Sequence, residues 1–417
     1  MYLGFYIYLV FNVLVLYFYY KKNNGIFEAP FLVAYTSIFV MLPQLAAIYS
    51  FDYYKTNTFG LFIYTIIGCN IAFVIGFEFV RFKKHKIKYE SILLYPKIKG
   101  LLYLCTLLGF YSIFTWSSVY QGSDNVIQSK LLSFGAKSLC LVAPFLIRAK
   151  STKEMKIIAV LSIIPLVYFA FWVKGSRGST LFLVLILSFI FSQKYPQRYG
   201  KIKKITVAIL VFGAVASASI GLIRHILVGN PIDGEKSSVS ELSLMDTYLN
   251  SFSIKETGFD LGNAVYGIDY LYNKNKLDYG VTYLWDDFIQ NNVPRRWVGE
   301  NFKEGLKFNI VDDDKMRESI THSITTMTGY YFAYRSFGVL SPLLFLLIGY
   351  LLGSIWYKSK YSMFALFLYL SILSHIPLFI THSPGYIYGS IEFVLIFMYP
   401  FMYKGIKKVK LENRIGK

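Results

Sequence analysis

The dominant pattern along the chain is a series of apolar runs of about 20 residues, separated by short clusters of Lys and Arg. Each run can cross a hydrocarbon layer of roughly 30 Å at about 1.5 Å per residue, and a chain in lipid satisfies its own backbone hydrogen bonds as a helix. The sequence therefore predicts an all-α polytopic membrane protein with about 11 spans, within a range of about 10–12. The predicted spans cover residues 2–20, 28–49, 59–80, 98–118, 131–147, 156–173, 178–193, 205–223, 337–357, 361–380 and 387–403.

Composition and charge agree with this prediction. Hydrophobic residues make up 55% of the chain and charged residues only 16%, which excludes an ordinary soluble domain. The net charge of +19 is a topology signal, because seven clusters at alternate ends of the spans hold 26 of the 43 Lys and Arg residues. The short connections on the other side carry only Lys55, Lys130, Lys174 and Arg177. The positive-inside rule then places the N-terminus outside and the C-terminus in the cytoplasm, and no nucleic-acid partner is expected.

One long segment departs from the basic pattern. Residues 224–335 hold 16 Asp and Glu against 12 Lys and Arg, and long loops translocate largely regardless of their charge. The chain therefore divides into an N-terminal bundle of about eight spans (1–223), a large extracytoplasmic loop (224–336) and a C-terminal bundle of about three spans (337–417). Helical periodicity predicts short amphipathic helices at Ser240–Phe252, Glu256–Tyr272 and Thr282–Gln290.

Cationic side chains on the outer side are candidates for binding phosphate. The short loop Lys174–Gly178 combines two glycines with Lys174 and Arg177, so backbone N–H groups and cations can approach a phosphate together. An ordinary tight turn at the lipid headgroups is the alternative.

The paired Arg295 and Arg296 are suited to bidentate phosphate contact, and the adjacent Trp297 can stack on a sugar. The alternative is an interfacial anchor, since Trp and Arg are both common at that depth. Arg224 and Arg335, at the two ends of the loop, are the other cationic candidates on the outer side.

His322 is the first candidate for a general base, because a histidine side chain can accept a proton near neutral pH, although a lone surface His is more often only solvated. Asp286, Asp287 and Glu300 are the fallback bases. The runs Asp286–Asp287 and Asp312–Asp314 could hold a divalent metal, but such runs are more typical of solvated loops. We therefore expect no metal site and no cofactor.

Charged residues within spans are costly and are functional candidates by default. Lys137, His375 and Glu392 lie at similar depths near the outer edge, which predicts one outward-facing polar cleft with Lys137 and Glu392 as an ion pair. His382, in the next outer loop, is a weaker candidate for the same cleft.

Three stretches together resemble the Wzy-type oligosaccharide repeat-unit polymerases, which make O-antigen and capsular polysaccharide. They are Lys174-Gly-Ser-Arg-Gly178 before a span, the pattern from Tyr279-Gly280 to Val293-Pro294-Arg295 in the outer loop, and His322 followed by Gly329-Tyr330 and Phe337-Gly338. The layout of spans is also similar to that family and to other multi-spanning glycosyltransferases that use lipid-linked donors.

The resemblance implies a reaction at the outer face of the bacterial cytoplasmic membrane. A glycan on undecaprenyl diphosphate would be transferred to the non-reducing end of a new lipid-linked repeat unit, without an obligatory metal. Lys174, Arg177, Arg224, Arg295, Arg296 and Arg335 would bind the diphosphate, and His322 would accept the proton. Tyr283, Trp285, Trp297 and Tyr330 would stack on sugars.

Two other functions stay open. An O-antigen ligase would share the chemistry and differ in the acceptor, and a lipid-linked oligosaccharide flippase would belong to another class. A chain-length regulator and a flippase are possible protein partners of a polymerase.

Overall fold

The computed structural model describes residues 2–50, 58–82, 89–120, 133–148, 151–171, 177–228, 260–274, 277–278, 280, 282–311 and 327–410. The first half contains helices α1 (Tyr2–Lys21), α2 (Ala29–Thr36), α3 (Leu42–Ser50), α4 (Phe59–Phe82), α5 (Tyr95–Tyr120), α6 (Ser138–Arg148), α7 (Lys153–Phe171), α8 (Arg177–Lys194) and α9 (Tyr199–Val228). The second half contains α10 (Asp260–Lys274), α11 (Thr282–Asn292), α12 (Arg295–Val298), α13 (Glu300–Gly305), α14 (Gly329–Phe337), α15 (Pro342–Ser359), α16 (Met363–Leu373), α17 (His375–Thr381), α18 (Gly385–Glu392) and α19 (Tyr399–Met402). Wider π-helical turns, Ser37–Met41 and Phe393–Met398, join α2 to α3 and α18 to α19.

A helix lies at every predicted span, but not every helix meets a test of length and apolar composition. Among the described residues, six helices are long and apolar enough to cross a membrane, or seven if the bent pair α16 and α17 is one span. Over the residues that the structure describes, the helices at the other predicted spans, α6 to α9, do not meet that test; α6, for example, has 11 residues. The fold is therefore that of a mostly helical membrane protein, and the count of eleven spans is not confirmed.

The ends of the helices that carry Lys and Arg clusters meet at one end of the bundle, called the basic end. Glu28 is buried there and forms ion pairs with Lys22 and Arg81. Arg148 at the end of α6 donates a hydrogen bond to the carbonyl of Ser359 at the end of α15. These contacts require the alternating helix directions that the charge pattern predicts. The side of the membrane on which this end lies stays a prediction.

A two-stranded antiparallel sheet at the basic end was not expected in an all-α protein. Strand β1 (Tyr89–Leu93) pairs with β2 (Ile406–Lys410), with Ser91 opposite Lys408. The partners lie more than 300 residues apart in the chain, so local periodicity could not indicate the pairing. The sheet joins the C-terminal segment to the first half of the chain.

Glycines bring helices α4 and α15 into close contact. A Cβ atom at Gly349 would lie 2.2 Å from the carbonyl oxygen of Phe73, and one at Gly353 would lie 2.5 Å from that of Phe77. Gly349 and Gly353 are four residues apart on one face of α15, the small-residue spacing that allows helix backbones to approach in membranes. This packing fixes the C-terminal bundle against the N-terminal one.

The end of the bundle opposite the basic end, called the loop end, carries the helices of the long loop. The predictions of helices over Glu256–Tyr272 and Thr282–Gln290 are confirmed by α10 and α11, while Ser240–Phe252 lies outside the described residues. Helix α10 contacts the bundle through a 2.7 Å hydrogen bond from Thr58 to Asp269. Helix α9 continues to Val228, five residues beyond the predicted loop boundary.

Candidate functional site

A cavity of about 670 Å³ lies at the loop end, between the bundle and helix α11 of the long loop. Its walls come from residues near the start of α6, from α7, α8 and α11, and from the segment of α17 and α18 between Ser374 and Phe393. Its polar lining includes Lys137, His375, Ser390, Glu392 and Asp287. The predicted polar cleft of Lys137, His375 and Glu392 thus corresponds to one cavity, and the structure adds an aspartate from the outer loop.

Helical spacing explains why these side chains share one space. Leu284, Phe288 and Asn292 on α11 are four residues apart and line the cavity together. Gly385, Gly389 and Glu392 on α18 also lie on one face, and the two glycines leave space beside the carboxylate.

Lys137 is the buried cation of the cavity. Its side chain is 5% exposed, and its Nζ donates to the carbonyl oxygen of Ser371 at 2.7 Å and to the hydroxyl of Ser390 at 3.3 Å. The predicted ion pair with Glu392 is absent among the described contacts, because the ammonium reaches the neighbouring helix α16 and Ser390 instead. Both residues still line the same cavity.

Asp287 is the one fallback base that faces the cavity. Helix α11 packs on α18 so closely that a Cβ atom at Gly385 would lie 2.6 Å from Oδ2 of Asp287. The adjacent Asp286 points away, and its carboxylate accepts hydrogen bonds from the backbone N–H groups of Phe308 at 2.7 Å and Asn309 at 3.1 Å. The structure thus separates the two neighbours into a cavity residue and a residue that holds a loop.

The other fallback base, Glu300, lies outside the cavity. It forms an ion pair with Arg295, and both side chains are about half exposed. Arg295 thus meets a carboxylate at the surface, away from the cavity lining, which does not agree with its predicted contact with a diphosphate in the same site.

The four predicted sugar-stacking rings divide into buried and exposed pairs. Tyr330 is 0% exposed, stacks on Phe345 and donates its hydroxyl to Asn70, so its predicted role does not agree with its place in the core. Tyr283 is also buried and stacks on Phe332, which leaves its ring little space for a sugar.

Burial, with the nearby Tyr388 hydroxyl and Asp287 carboxylate, raises the pKa of Tyr283 well above its ordinary value. This hydroxyl therefore stays protonated at neutral pH, beside the cavity that Tyr388 and Asp287 line.

Trp285 and Trp297 are the rings that remain accessible to a sugar. Trp285 donates its Nε1–H to the carbonyl of Leu306 and stacks on Phe288, while about half of the ring is exposed. Trp297 is 73% exposed, which suits either a sugar face or the membrane interface.

Arg335 is buried in an ion pair with Asp278, with Nε 2.5 Å from Oδ2. The backbone N–H of Asp278 also donates to the carbonyl of Arg335 at 2.9 Å. These contacts attach the loop segment before α11 to the end of α14. The predicted role in binding a diphosphate therefore does not agree with the position of Arg335, which holds the loop on the bundle.

His382 lies close to the cavity without lining it. Its Nδ1 is 2.7 Å from the hydroxyl of Thr381, and its ring meets the edge of the cavity residue Tyr386. His375 does line the cavity, and its ring centroid lies 6.3 Å from that of Tyr386.

Several predicted residues cannot be compared with the cavity. His322 and Lys174 lie outside the described residues, and the side chains of Arg177, Arg224 and Arg296 lie outside the described part of their helices. Their predicted roles stay predictions.

Sequence reasoning missed Asn292, Tyr386, Tyr388 and Ser390, which all line the cavity. A signal for the last three was present, because the segment from Gly385 to Glu392 interrupts an apolar run with small and polar residues. Among the described residues, no group of three or more His, Cys, Asp or Glu could hold a metal ion. The expectation that no metal is needed stays a prediction.

The cavity combines a buried ammonium, two carboxylates and an imidazole with an apolar wall that includes Leu166, Phe182 and Phe393. Such a site can hold an amphiphile that has an anionic group, and Asp287 is placed to accept a proton from a ligand that enters from the loop. Comparison of the chain with protein-family models, with curated proteins and with solved structures finds no match in any of the three.

Proposed function

We propose that this protein polymerises oligosaccharide repeat units carried on undecaprenyl diphosphate, at the outer face of the bacterial cytoplasmic membrane. The observation that carries the proposal is the cavity in which helix α11 of the long loop meets polar residues of the membrane bundle. A lipid-linked glycan has one part in lipid and one in water, so its enzyme needs a site of this kind. The motifs that resemble Wzy-type polymerases support the same function.

The reaction forms one glycosidic bond and breaks one bond to phosphate. The acceptor hydroxyl attacks the anomeric carbon of the donor, its proton passes to a base, and undecaprenyl diphosphate leaves with the electron pair. The base is proposed to be His322 from the resemblance, or Asp287 from its place in the cavity. Cations stabilise the negative charge that develops on the leaving group.

Deletion of the gene in its own host, followed by analysis of the surface glycan, tests this function. The expected result is a glycan that carries a single repeat unit in place of long chains. A complete loss of lipid-linked units at the outer face would indicate a flippase, and loss of glycan attachment with intact polymer would indicate a ligase. Either result would contradict the proposal.

Variants of the two candidate bases extend the test. His322→Ala and Asp287→Asn are introduced separately into the complementing gene, and glycan chain length is compared at equal membrane levels of protein. The base variant should lose long chains, and normal chain lengths in one variant would remove that residue as the base. Normal chain lengths in both variants would contradict the proposed chemistry.

A further inference from the structure

The ammonium of Lys137 has no carboxylate partner in the described part of the chain. Its two hydrogen-bond acceptors, the Ser371 carbonyl and the Ser390 hydroxyl, are neutral groups. The Ser371 carbonyl lies near the C-terminal end of α16, where the helix dipole offsets part of the positive charge. A buried cation needs more compensating negative charge than two neutral acceptors and a helix dipole provide, because burial removes the stabilisation that water provides.

The cavity beside Lys137 can supply that compensation through a ligand. Lys137 lines the cavity and has three N–H donors, of which the described contacts use two. The hydroxyls of Ser374 and Ser390 line the same wall and can donate to an anion. Asp287 and Glu392 supply the two carboxylates of the lining, and neither forms an ion pair with Lys137 among the described contacts.

The remaining wall is apolar and belongs to helices of the bundle. Leu166 and Phe182 come from α7 and α8, and Phe393 follows α18. An occupant that satisfies both walls has an anionic group next to an aliphatic chain. A cavity of about 670 Å³ has room for a diphosphate and the first isoprene units of a longer chain.

We propose that Lys137 is the anchor for the phosphate group of a prenyl-linked diphosphate, held at the boundary between bundle and loop. This assignment rests on the proposed function for the identity of the lipid. It places the leaving group deep in the cavity, with Asp287 on the side of the loop, where the acceptor sugar would enter.

Binding to the full-length protein in phosphatidylcholine nanodiscs tests the anchor. The probe is farnesyl diphosphate, with farnesol and inorganic diphosphate as comparisons. Wild-type protein should bind farnesyl diphosphate at least about tenfold more tightly than either comparison, because farnesol lacks the charge and inorganic diphosphate lacks the apolar chain. Equal binding of farnesol and farnesyl diphosphate would overturn the proposal. This comparison uses only the wild-type protein, so it does not depend on the folding of a variant.

Substitution of Lys137 tests the residue itself. Lys137→Met should weaken farnesyl diphosphate binding at least about tenfold, and Lys137→Arg should retain most of it because the charge is kept. Lys303→Met is the matched control, since Lys303 is equally buried and bonds to the Gln290 carbonyl at 3.0 Å in the loop. Binding unchanged in Lys137→Met, or weakened equally in Lys303→Met, would overturn the assignment.

The source of the phosphate is distinguished by changing the bilayer. Farnesyl diphosphate binding should persist in nanodiscs that contain phosphatidylglycerol. Abolition by phosphatidylglycerol would mean that the site takes bulk phospholipid headgroups, which contradicts a prenyl-linked ligand. If binding depends on Lys137 but deletion of the gene leaves glycan chains unchanged, the anchor stands and the proposed polymerase function falls.

Discussion

At the residue scale, two adjacent aspartates have different surroundings. Asp287 faces the cavity beside Gly385, whereas Asp286 accepts two backbone hydrogen bonds from the loop at Phe308 and Asn309. If Asp287 is the base, Asp287→Asn should lower the rate of glycan polymerisation about 100-fold, because an amide cannot accept the proton. Asp286→Asn should leave the polymerisation rate per folded molecule nearly unchanged. An equal loss of rate in both variants would contradict this division of roles.

The buried pair of Arg335 and Asp278 gives a second prediction at this scale. Arg335→Met should lower the free energy of unfolding by about 3–5 kcal/mol, because it leaves the Asp278 carboxylate buried without its partner. The double variant Arg335→Met with Asp278→Asn should recover part of that loss. Thermal unfolding in detergent measures both effects. A stable Arg335→Met protein that has lost only diphosphate binding would contradict this structural role and would indicate that Arg335 binds the substrate.

At the element scale, the glycines of α15 determine how closely the helix packs on α4. Gly349→Ala should destabilise the protein by about 1–3 kcal/mol, because the new methyl group would overlap the Phe73 carbonyl. Gly60→Ala in α4 is the control, since a Cβ atom there meets no other atom within 4 Å. The melting temperatures of the two variants check this prediction. An unchanged value for Gly349→Ala would mean that the helices separate easily.

The elements also show what the sequence could and could not predict. Apolar runs and basic clusters locate the helices, because membrane burial and loop charge act locally along the chain. The depth of Lys137, His375 and Glu392 was enough to predict a shared cleft. It could not predict their partners, because Lys137 bonds to helix α16 across more than 230 residues. The burial of Tyr330 depends on a similarly distant contact with Asn70, and that of Arg335 on an ion pair with Asp278, 57 residues away.

At the scale of the whole molecule, the two ends of the bundle are predicted to lie on opposite sides of the membrane. The native cysteines Cys69, Cys105 and Cys140 are all buried, so an introduced cysteine should dominate labelling by an impermeant maleimide. Glu300→Cys should react from outside intact cells, and Lys408→Cys only after the membrane is opened. The reverse pattern would overturn the topology.

In the proposed function, one polypeptide joins lipid-linked repeat units in the cavity at its loop end. The most direct measurement is reconstitution of the purified protein into proteoliposomes with lipid-linked repeat units extracted from the deletion strain. The expected result is a ladder of glycan lengths and release of one undecaprenyl diphosphate for each new linkage. Both should be lost in Lys137→Met and in whichever of Asp287→Asn and His322→Ala removes the base. Repeat units that remain single while they move between leaflets would contradict it and indicate a transporter.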